Sequence, residues 1–315
     1  MTFSHDWIST IRLFNPQLSN NLIENKRTGF TSMTNTNDDI TAFYNGEYMP
    51  IDKVAISPFD RGFLLGDSIY EAIPFYNAKA LGGELHYQRL LQGLAAVGIE
   101  TPYPLEQWSQ IIASLLVKNV ASQLVYIQVT RGNEQIRKHR FPVNAQPTVL
   151  IFPIPFQSGI DTNYPGCVAH LQDDMRWQCC HIKSTSLMGN VLAYRQLHTD
   201  GVSNDEALLV RDGYVVEAPS SNLFMAKDEV IYTPPVDNIL PGVTRTLVIN
   251  LAKDLGYKVI EKAPSIEVLK SADEVWVTNS MEELKPITAI DQAAVGEGVP
   301  GRLWRALFTA FQALK

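Results

Sequence analysis

Apolar and polar residues alternate along much of the chain from residue 39 onward, and this alternation predicts β-strands. The segment TAFYNGEYMPI alternates on both sides of Asn45-Gly46, a pair that accepts the positive φ angles of a tight turn and so predicts a β-hairpin. IYEAIPFYNAKALGGELH continues the alternation, with Asn77 and Gly82-Gly83 as turns. We therefore expect the chain to begin its ordered part with a sheet.

Two segments then change to the spacing of amphipathic helices. HYQRLLQGLAAVGI has apolar residues at helical intervals until Gly98, and LEQWSQIIASLLVKNV repeats that pattern. The β-branched runs SQLVYIQVTRG and PTVLIFPIPF predict two further strands. Strands and helices are thus mixed in the first part of the chain.

The apolar pattern breaks at PFQSGIDTNYPG, where Pro, Gly and Ser are typical of a linker. We place a domain boundary there, between a small domain at residues 39–156 and a larger one at residues 157–315. Beyond the boundary, strand-like segments alternate with helical ones such as SLMGNVLAYRQLHTD and VTRTLVINLAKDLG; the strand-like segments are CVAHLQ, EALLVRDGYVVEA, NLFMAK and EVWVTNS. The pattern as a whole predicts an α+β fold.

Residues 1–38 differ from the rest because they are polar, rich in Asn, Thr and Ser, and lack the continuous apolar run of a secretion signal. We interpret them as a flexible N-terminal extension.

The amino-acid composition of the chain indicates which kinds of molecule it binds. Hydrophobic residues make up 45% of the chain and charged residues 19%, as in folded globular proteins, and no segment has the ~20 uninterrupted apolar residues that cross a membrane. The net charge of -7 disfavours nucleic-acid binding. Cys167, Cys179 and Cys180 form an odd set without metal-ligand spacing. We expect a cytoplasmic protein that binds a small molecule, without a metal ion, membrane or nucleic-acid partner.

Several segments contain candidate catalytic or ligand-binding residues. Lys183 lies among cysteines, serines and small apolar residues in CCHIKSTSLMGN, where it is either a solvated charge or a reactive amine. In LPGVTRTLVINLAKDLG, a Pro241-Gly242 turn precedes a helix that Thr244 is expected to cap. The start of a helix carries unpaired N–H groups and a partial positive charge, so this turn is a candidate phosphate site. Most capped helices, however, bind no ligand.

Two further segments are charged. Glu217 ends a predicted strand in GYVVEAPSSNLF, and a buried acid beside a ring nitrogen would favour the protonated ring; otherwise it is a surface glutamate. RGNEQIRKHRFP concentrates basic residues within residues 131–140 of an acidic chain. Guanidinium groups pair with carboxylates in a two-pronged geometry, so this segment is either a carboxylate site or a solvated loop.

Together these segments resemble one family. The motifs that carry the resemblance are FDRGFLLGDSIYEAIPFYNA, HYQRLL, IQVTRGNEQIRKHRFP, DMRWQCCHIKSTSLMGNVLA, EALLVRDGYVVEAPSSNLF, ILPGVTRTLVI and VWVTNSMEELKPI. Their order and spacing are similar to those of fold-type IV pyridoxal-phosphate aminotransferases, and among these to the D-amino-acid (D-alanine) aminotransferases. The resemblance covers nearly all of the chain after the extension. It implies a smaller N-terminal α/β sandwich domain and a larger C-terminal pseudo-barrel domain.

The resemblance also implies a cofactor, pyridoxal 5'-phosphate, and residues that bind it. Lys183 matches the catalytic lysine that holds the cofactor as a Schiff base. Glu217 matches the glutamate that pairs with the pyridine nitrogen. The other matching cofactor-binding residues are Arg89, Leu240, Val243, Thr244, Asn279 and Ser280.

The same resemblance implies a carboxylate site for the substrate, formed by Tyr70, Arg137 and His139. In the family the Arg-x-His pair reaches in from the neighbouring subunit, so the resemblance implies a homodimer. The loop before Arg137 is one residue longer here than in the family pattern. The implied reaction converts D-alanine and 2-oxoglutarate to pyruvate and D-glutamate.

Other activities occur on the same fold. A branched-chain L-amino-acid aminotransferase has a tyrosine five residues after the lysine, and here that position is Met188. This difference, together with the intact Arg-x-His pair, favours D-amino acids. An R-selective amine transaminase, a 4-amino-4-deoxychorismate lyase and a catalytically silent metabolite-binding dimer are the remaining alternatives.

We expect a chain that starts at Met33 to fold and react as the full chain does, because a polar extension has little apolar surface to bury. The thermal unfolding midpoint and the turnover number of the two proteins should agree. A loss of either in the shortened chain would give the extension a role.

Overall fold

Two β-sheets organise the part of the chain that the computed structural model describes, which is residues 40–142, 144–197 and 204–315. The predicted extension at residues 1–38 lies outside these residues. Strands and helices are mixed within the described part, which confirms the α+β class.

The first sheet has six antiparallel strands in the order β2-β1-β6-β5-β3-β4. They are β1 (Thr41–Tyr44), β2 (Glu47–Pro50), β3 (Ser68–Tyr76), β4 (Lys79–Ala80), β5 (Ser122–Thr130) and β6 (Thr148–Pro155). The predicted hairpin joins β1 to β2, with φ angles of 48° at Asn45 and 101° at Gly46. Asn and Gly tolerate these left-handed conformations better than other residues do, so the prediction of this turn is confirmed.

Helices cover this sheet. They are α1 (Arg61–Leu65), α2 (Gly83–Ala96) and α3 (Leu105–Leu115), and a 3-10 turn occupies Ile51–Lys53. The apolar faces of α2 and α3 contribute Leu90, Leu94 and Trp108 to a core that also contains Ile127 of β5 and Ile151 of β6. The two helices predicted from periodicity are confirmed, because their apolar stripes have a sheet to pack against.

The second sheet has nine strands in the part of the chain that the structure describes. They are β7 (Cys167–Asp173), β8 (Glu206–Arg211), β9 (Tyr214–Glu217), β10 (Asn222–Lys227), β11 (Val230–Thr233), β12 (Lys258–Glu261), β13 (Glu274–Asn279), β14 (Glu283–Ile290) and β15 (Ala293–Ala294). Along this sheet the order is β12-β11-β10-β13-β14-β7-β8-β9, and β15 pairs with β14.

A further pairing closes part of the second sheet into a ring. β9 pairs with β8 and also with β10, through Glu217 opposite Asn222. Six strands, β7 to β10 with β13 and β14, therefore form a closed path. This ring is the pseudo-barrel expected from the sequence. Glu217 lies at its seam, since it faces Leu209 of β8 on one side and Asn222 of β10 on the other.

Four helices accompany the second sheet, namely α4 (Met188–Leu197), α5 (Val243–Asp254), α6 (Ile266–Lys270) and α7 (Arg302–Gln312). A buried core joins α5 and α7 to the strands through Val248, Trp304 and Phe311 on the helices and Phe224 and Trp276 on the sheet. None of the helices in the described residues is long and apolar enough to cross a membrane.

The segment after β7 connects the two sheets. The backbone of Lys183 accepts a hydrogen bond from Tyr70 N at 3.0 Å, and Thr185 N donates to Ser68 O at 3.2 Å. Ser68 and Tyr70 both belong to the beginning of β3. This pairing holds the Lys183 backbone against the first sheet.

A buried ion pair joins β3 to α2. Arg89 donates to Glu71 from Nε at 2.7 Å and from Nη2 at 2.9 Å, and His86 Nδ1 lies 2.9 Å from Glu71 Oε2. Glu71 is completely buried. Burial raises the pKa of Glu71, but the Arg89 guanidinium outweighs burial and holds this pKa well below its ordinary value. Glu71 therefore fixes the position of the Arg89 side chain.

We expect Glu71→Gln to lower the free energy of unfolding by about 3–5 kcal/mol, because removing one partner of a buried ion pair leaves the other charge uncompensated. Urea unfolding measures this change. Glu297→Gln is the matched control, since it makes the same chemical change at an exposed position and should alter stability by less than about 0.5 kcal/mol. Equal stability of the two variants would contradict a structural role for the Glu71 ion pair.

Candidate active site

A cleft lies where the beginning of β3, the Lys183 segment, the end of β9 and the start of α5 come together. The structure brings the following predicted site residues to its wall: Tyr70, Arg89, Lys183, Glu217, Leu240, Val243, Thr244, Asn279 and Ser280.

Lys183 lies half-buried in the cleft wall. Its Nζ is 4.1 Å from the centroid of the Tyr70 ring, and an aromatic face attracts a cation at this distance. The backbone pairing with β3 sets the direction of the side chain. The Lys183 amine is therefore held in place rather than free in solvent.

Glu217 is the buried acid of the site. It is 2% exposed, and its Oε1 accepts a hydrogen bond from Arg176 Nη1 at 2.7 Å. Asn222 Nδ2 donates to Oε2 at 3.1 Å, and Leu240 N donates at 3.3 Å. Burial raises the pKa of Glu217 to about 7, although Arg176 acts in the opposite direction and lowers it. The surface-glutamate alternative is thus wrong for this residue.

Arg176 is held from its other side by Asp174. Asp174 Oδ1 accepts from Arg176 Nε at 2.9 Å, and Oδ2 accepts from Nη2 at 2.9 Å. Arg211 Nη2 donates to the same Oδ2 at 2.5 Å. The four side chains of Arg211, Asp174, Arg176 and Glu217 form a row of alternating charge that ends in the cleft.

The beginning of α5 forms the other end of the cleft. The N-cap of α5 is Gly242, which has no capping side chain, and Val243 and Thr244 are its first helical residues. The prediction that Thr244 caps this helix is wrong, because Thr244 already has a helical position and the chain enters through Gly242 in an extended conformation. The N–H groups of the first turn consequently stay available to an anion.

Arg89 lies beside this helix start. Its Nη1 donates to Pro241 O at 3.0 Å while Nε and Nη2 hold Glu71. The guanidinium therefore has a fixed orientation and further N–H groups to offer. A fixed guanidinium next to helical N–H groups is an arrangement that suits an anion.

Asn222 links the two ends of the cleft. Its Nδ2 donates to Glu217 and, at 2.8 Å, to Leu240 O. A Cβ at Gly242 would lie 1.9 Å from Asn222 Oδ1, so a side chain at position 242 would displace Asn222. Only glycine permits this close approach.

The residues of the cleft fit pyridoxal phosphate. The α5 start and Arg89 offer a site for its phosphate, the Glu217 carboxylate for its ring nitrogen, and the Lys183 amine for its aldehyde. Thr278 Oγ1, in the cleft wall, is buried without a hydrogen-bond partner in the described residues. Buried hydroxyl groups rarely lack a partner, so Thr278 is consistent with a bound polar molecule.

The Asn279 side chain makes hydrogen bonds within the turn that it begins. Its Oδ1 accepts from Met281 N and Glu282 N, and its Nδ2 donates to Ser221 Oγ. A contact with a ligand would therefore come from its backbone. Ser280, next in the chain, is half-buried in the wall.

Arg137 and His139 do not line the cleft of their own chain and are exposed. Arg61 holds the loop that carries them. Its Nη1 donates to Lys138 O at 2.7 Å and to Arg140 O at 3.2 Å. The loop is thus held through its backbone while its basic side chains at residues 137–140 are exposed.

Sequence reasoning left several contributors without a firm role. The sequence did not single out Arg176, Glu71 or Thr278 as site residues. Arg176 contacts Glu217 across 41 residues of the chain, and Glu71 contacts Arg89 across 18; no local pattern links either pair. The remaining signal was Arg176 itself, a basic residue in the short segment that leads to Lys183.

Comparison with known proteins agrees with this geometry. Residues 68–290 match the family model of class IV aminotransferases. The chain is 37% identical over 271 residues to the D-alanine aminotransferase of Bacillus licheniformis, in a match that covers 85% of this chain and 95% of that protein. It is 36% identical to the D-alanine aminotransferase of Staphylococcus epidermidis, with 86% and 96% covered.

Several solved structures similar to this chain are branched-chain amino acid aminotransferases. The Escherichia coli enzyme has a TM-score of 0.78 at 24% identity, covering 87% of this chain and 94% of that chain. The T.th. enzyme, solved with pyridoxamine 5'-phosphate, has a TM-score of 0.80 at 24% identity, with the same coverage. These likenesses show the fold. With the family match over most of its length, the chain belongs to the class IV aminotransferases.

Proposed function

We propose that this pyridoxal-phosphate-dependent aminotransferase acts on D-amino acids, converting D-alanine and 2-oxoglutarate to pyruvate and D-glutamate. The observation that carries the proposal is the 37% identity, over 85% of the chain, to an enzyme described as a D-alanine aminotransferase. The cleft supports it, because an amine, a buried carboxylate and an anion site line one cavity. The three cysteines are unpaired, which fits our proposal of a cytoplasmic enzyme.

The residues have separate tasks in this proposal. Bound pyridoxal phosphate supplies the electron sink that makes the substrate α-proton acidic. Arg89 and the N–H groups of Val243 and Thr244 hold its phosphate, with Asn279 and Ser280 on the other side of the cleft. Leu240 packs against its ring.

Lys183 and Glu217 carry the chemistry. Lys183 Nζ would hold the aldehyde of the cofactor, and the same amine would be the general base for the proton on the substrate Cα. Glu217 keeps the ring nitrogen protonated through an ionic hydrogen bond.

Tyr70, Arg137 and His139 are proposed to bind the substrate carboxylate. Tyr70 lines the cleft beside Lys183, whereas the exposed Arg137 and His139 are available to a second subunit. Ile136 and Phe141 flank the basic residues and are 56% and 69% exposed. Large exposed apolar side chains next to basic ones suit a protein interface, so we propose a homodimer in which the loop completes the neighbouring site.

A branched-chain L-amino-acid aminotransferase is the second candidate, because two of the similar solved structures are named branched-chain amino acid aminotransferases. Their 24% identity is lower than the 36–37% of the D-alanine aminotransferases. Met188, at the position of the tyrosine in that subfamily, is 70% exposed and does not line the cleft. The two candidates differ in the chirality of the amino donor.

We expect the holoenzyme with 2-oxoglutarate to consume D-alanine at least 100-fold faster than L-leucine, because a carboxylate site fixed on one side of the cofactor presents one enantiomer's α-proton to Lys183; a factor of 100 corresponds to about 2.7 kcal/mol. Chiral chromatography of donor and product measures the ratio. Faster use of L-leucine would overturn the D-amino-acid proposal.

Lys183→Ala is the matched control for the same assay. It should bind the cofactor without turnover, because it lacks the general base. Borohydride reduction and peptide mapping should place the cofactor label on Lys183 in the unchanged protein. A label elsewhere would contradict the role of Lys183.

A hybrid dimer tests whether Arg137 acts on the neighbouring site. Lys183→Ala and Arg137→Ala chains, each inactive alone, are co-expressed with different tags and the hybrid is purified. One site of the hybrid then combines an intact Lys183 with an intact Arg137 from the other chain. We expect about half the activity of the unchanged dimer, from one restored site of two.

The control is each variant as a homodimer purified in the same way. If Arg137 serves its own chain, the hybrid contains no complete site and stays as inactive as the two homodimers.

A further inference from the structure

We propose that Arg176 is a positioning residue that keeps Glu217 ionised, and that the row Arg211–Asp174–Arg176 holds its guanidinium in place for this purpose. The inference rests on the proposed role of Glu217 beside the ring nitrogen of the cofactor. It adds Arg176, a residue of the cleft wall whose proposed effect on the ring nitrogen is transmitted through its contact with Glu217.

A buried carboxylate loses its hydration and needs a positive partner to stay ionised. Arg176 is the one described cation that contacts Glu217 directly. The other contacts, from Asn222 and the Leu240 N–H, are neutral. Burial still raises the pKa of Glu217 to about 7 with Arg176 in place, so loss of Arg176 would favour the neutral acid further.

The remaining charged groups around Glu217 do not replace Arg176. Asp174 is negative, and its charge raises the pKa of Glu217. Cys180 is close enough for its own pKa to feel Glu217 and Arg176, and burial raises that pKa. Lys183 lines the same cleft, but its amine is committed to the cofactor. Arg211 contacts Asp174 and not Glu217.

The geometry fixes the guanidinium between two acids. Arg176 uses Nε and Nη2 for Asp174 and Nη1 for Glu217. The Asp174 side chain is fully buried and the Arg176 side chain is 7% exposed. A planar fork with three occupied nitrogens cannot rotate away from Glu217 without breaking two further ionic hydrogen bonds.

Gly189 in α4 has no side chain, and Arg176 occupies the space that a side chain at this position would fill. A Cβ at position 189 would lie 2.9 Å from Arg176 Cγ and 3.2 Å from its Cα. The second contact is with backbone, which has little freedom to move away. The helix that follows Lys183 is thus shaped to admit this arginine.

A neutral Glu217 can no longer balance the charge of a protonated ring nitrogen, and the nitrogen loses its proton. Activity needs the ionised acid, and the ionised fraction falls as the pH drops below its pKa. Raising this pKa therefore moves the acid limb of the kcat profile to higher pH.

The test uses the holoenzyme with Arg176→Gln, loaded with cofactor labelled by nitrogen-15 in the ring. At pH 7 the nitrogen NMR shift should change from the protonated to the unprotonated value. We expect kcat for the amino donor to fall roughly 10- to 100-fold, as for loss of an ionic hydrogen bond, with little change in KM. Arg176→Lys, which keeps the charge, should restore the protonated shift.

Arg245→Gln is the matched control. Arg245 is also buried and pairs with a glutamate, Glu261, but it lies outside the cleft wall. This variant should lose stability without a change in the nitrogen shift. An unchanged shift and pH profile in Arg176→Gln would overturn the inference, whereas failure of the unchanged protein to bind cofactor through Lys183 would overturn the proposed function instead.

Arg211→Gln decides the matter if Arg176→Gln does not fold, because the Arg211 side chain is only partly buried, at 22% exposure. Without Arg211, the negative charge of Asp174 is less balanced, and the acid limb should move to higher pH by less than in Arg176→Gln. An unmoved acid limb in Arg211→Gln would overturn the inference.

Discussion

A carboxylate buried at the seam of a closed ring of strands is the constraint on which the rest of this structure depends. Glu217 closes the ring by pairing with β8 and β10, and its side chain points into the cleft wall at 2% exposure. A charge in such a place is stable only with a full set of partners. Arg176, Asn222 and the Leu240 N–H provide them, and each comes from a different segment of the chain. The hydrogen bonds to this one carboxylate therefore bring together several of the segments that form the site.

The other residues of the cleft are also held by contacts with neighbouring protein groups. Asn222 connects Glu217 to the Leu240 carbonyl and limits position 242 to glycine, so the Glu217 end and the α5 end of the cleft keep a fixed separation. Arg89 is set by Glu71 on one side and by the Pro241 carbonyl on the other. Lys183 enters on a segment that pairs with β3. The cleft is rigid because each binding group has a structural partner behind it.

Local patterns predicted much of this fold. The Asn45-Gly46 hairpin, α2 and α3 follow from turn chemistry and apolar spacing within a few residues, and the structure contains them. The family motifs identified Lys183, Glu217 and Arg89 as candidate site residues, and all three line one cleft in the structure. Periodicity could not reveal the closure of the ring or the contact of Arg176 with Glu217, since these join segments far apart in the chain. Thr244 was misread as a cap because the sequence does not show that Gly242 is extended.

The way the basic loop is anchored separates two properties of the enzyme. Arg61 donates hydrogen bonds to main-chain carbonyl oxygens of this loop. These acceptors are present whatever side chains the loop carries. Substitutions at the exposed residues 137 and 139 should therefore leave the loop anchored. Under the proposed roles of Arg137 and His139, substrate preference could change by exchange of these side chains without a change in the fold.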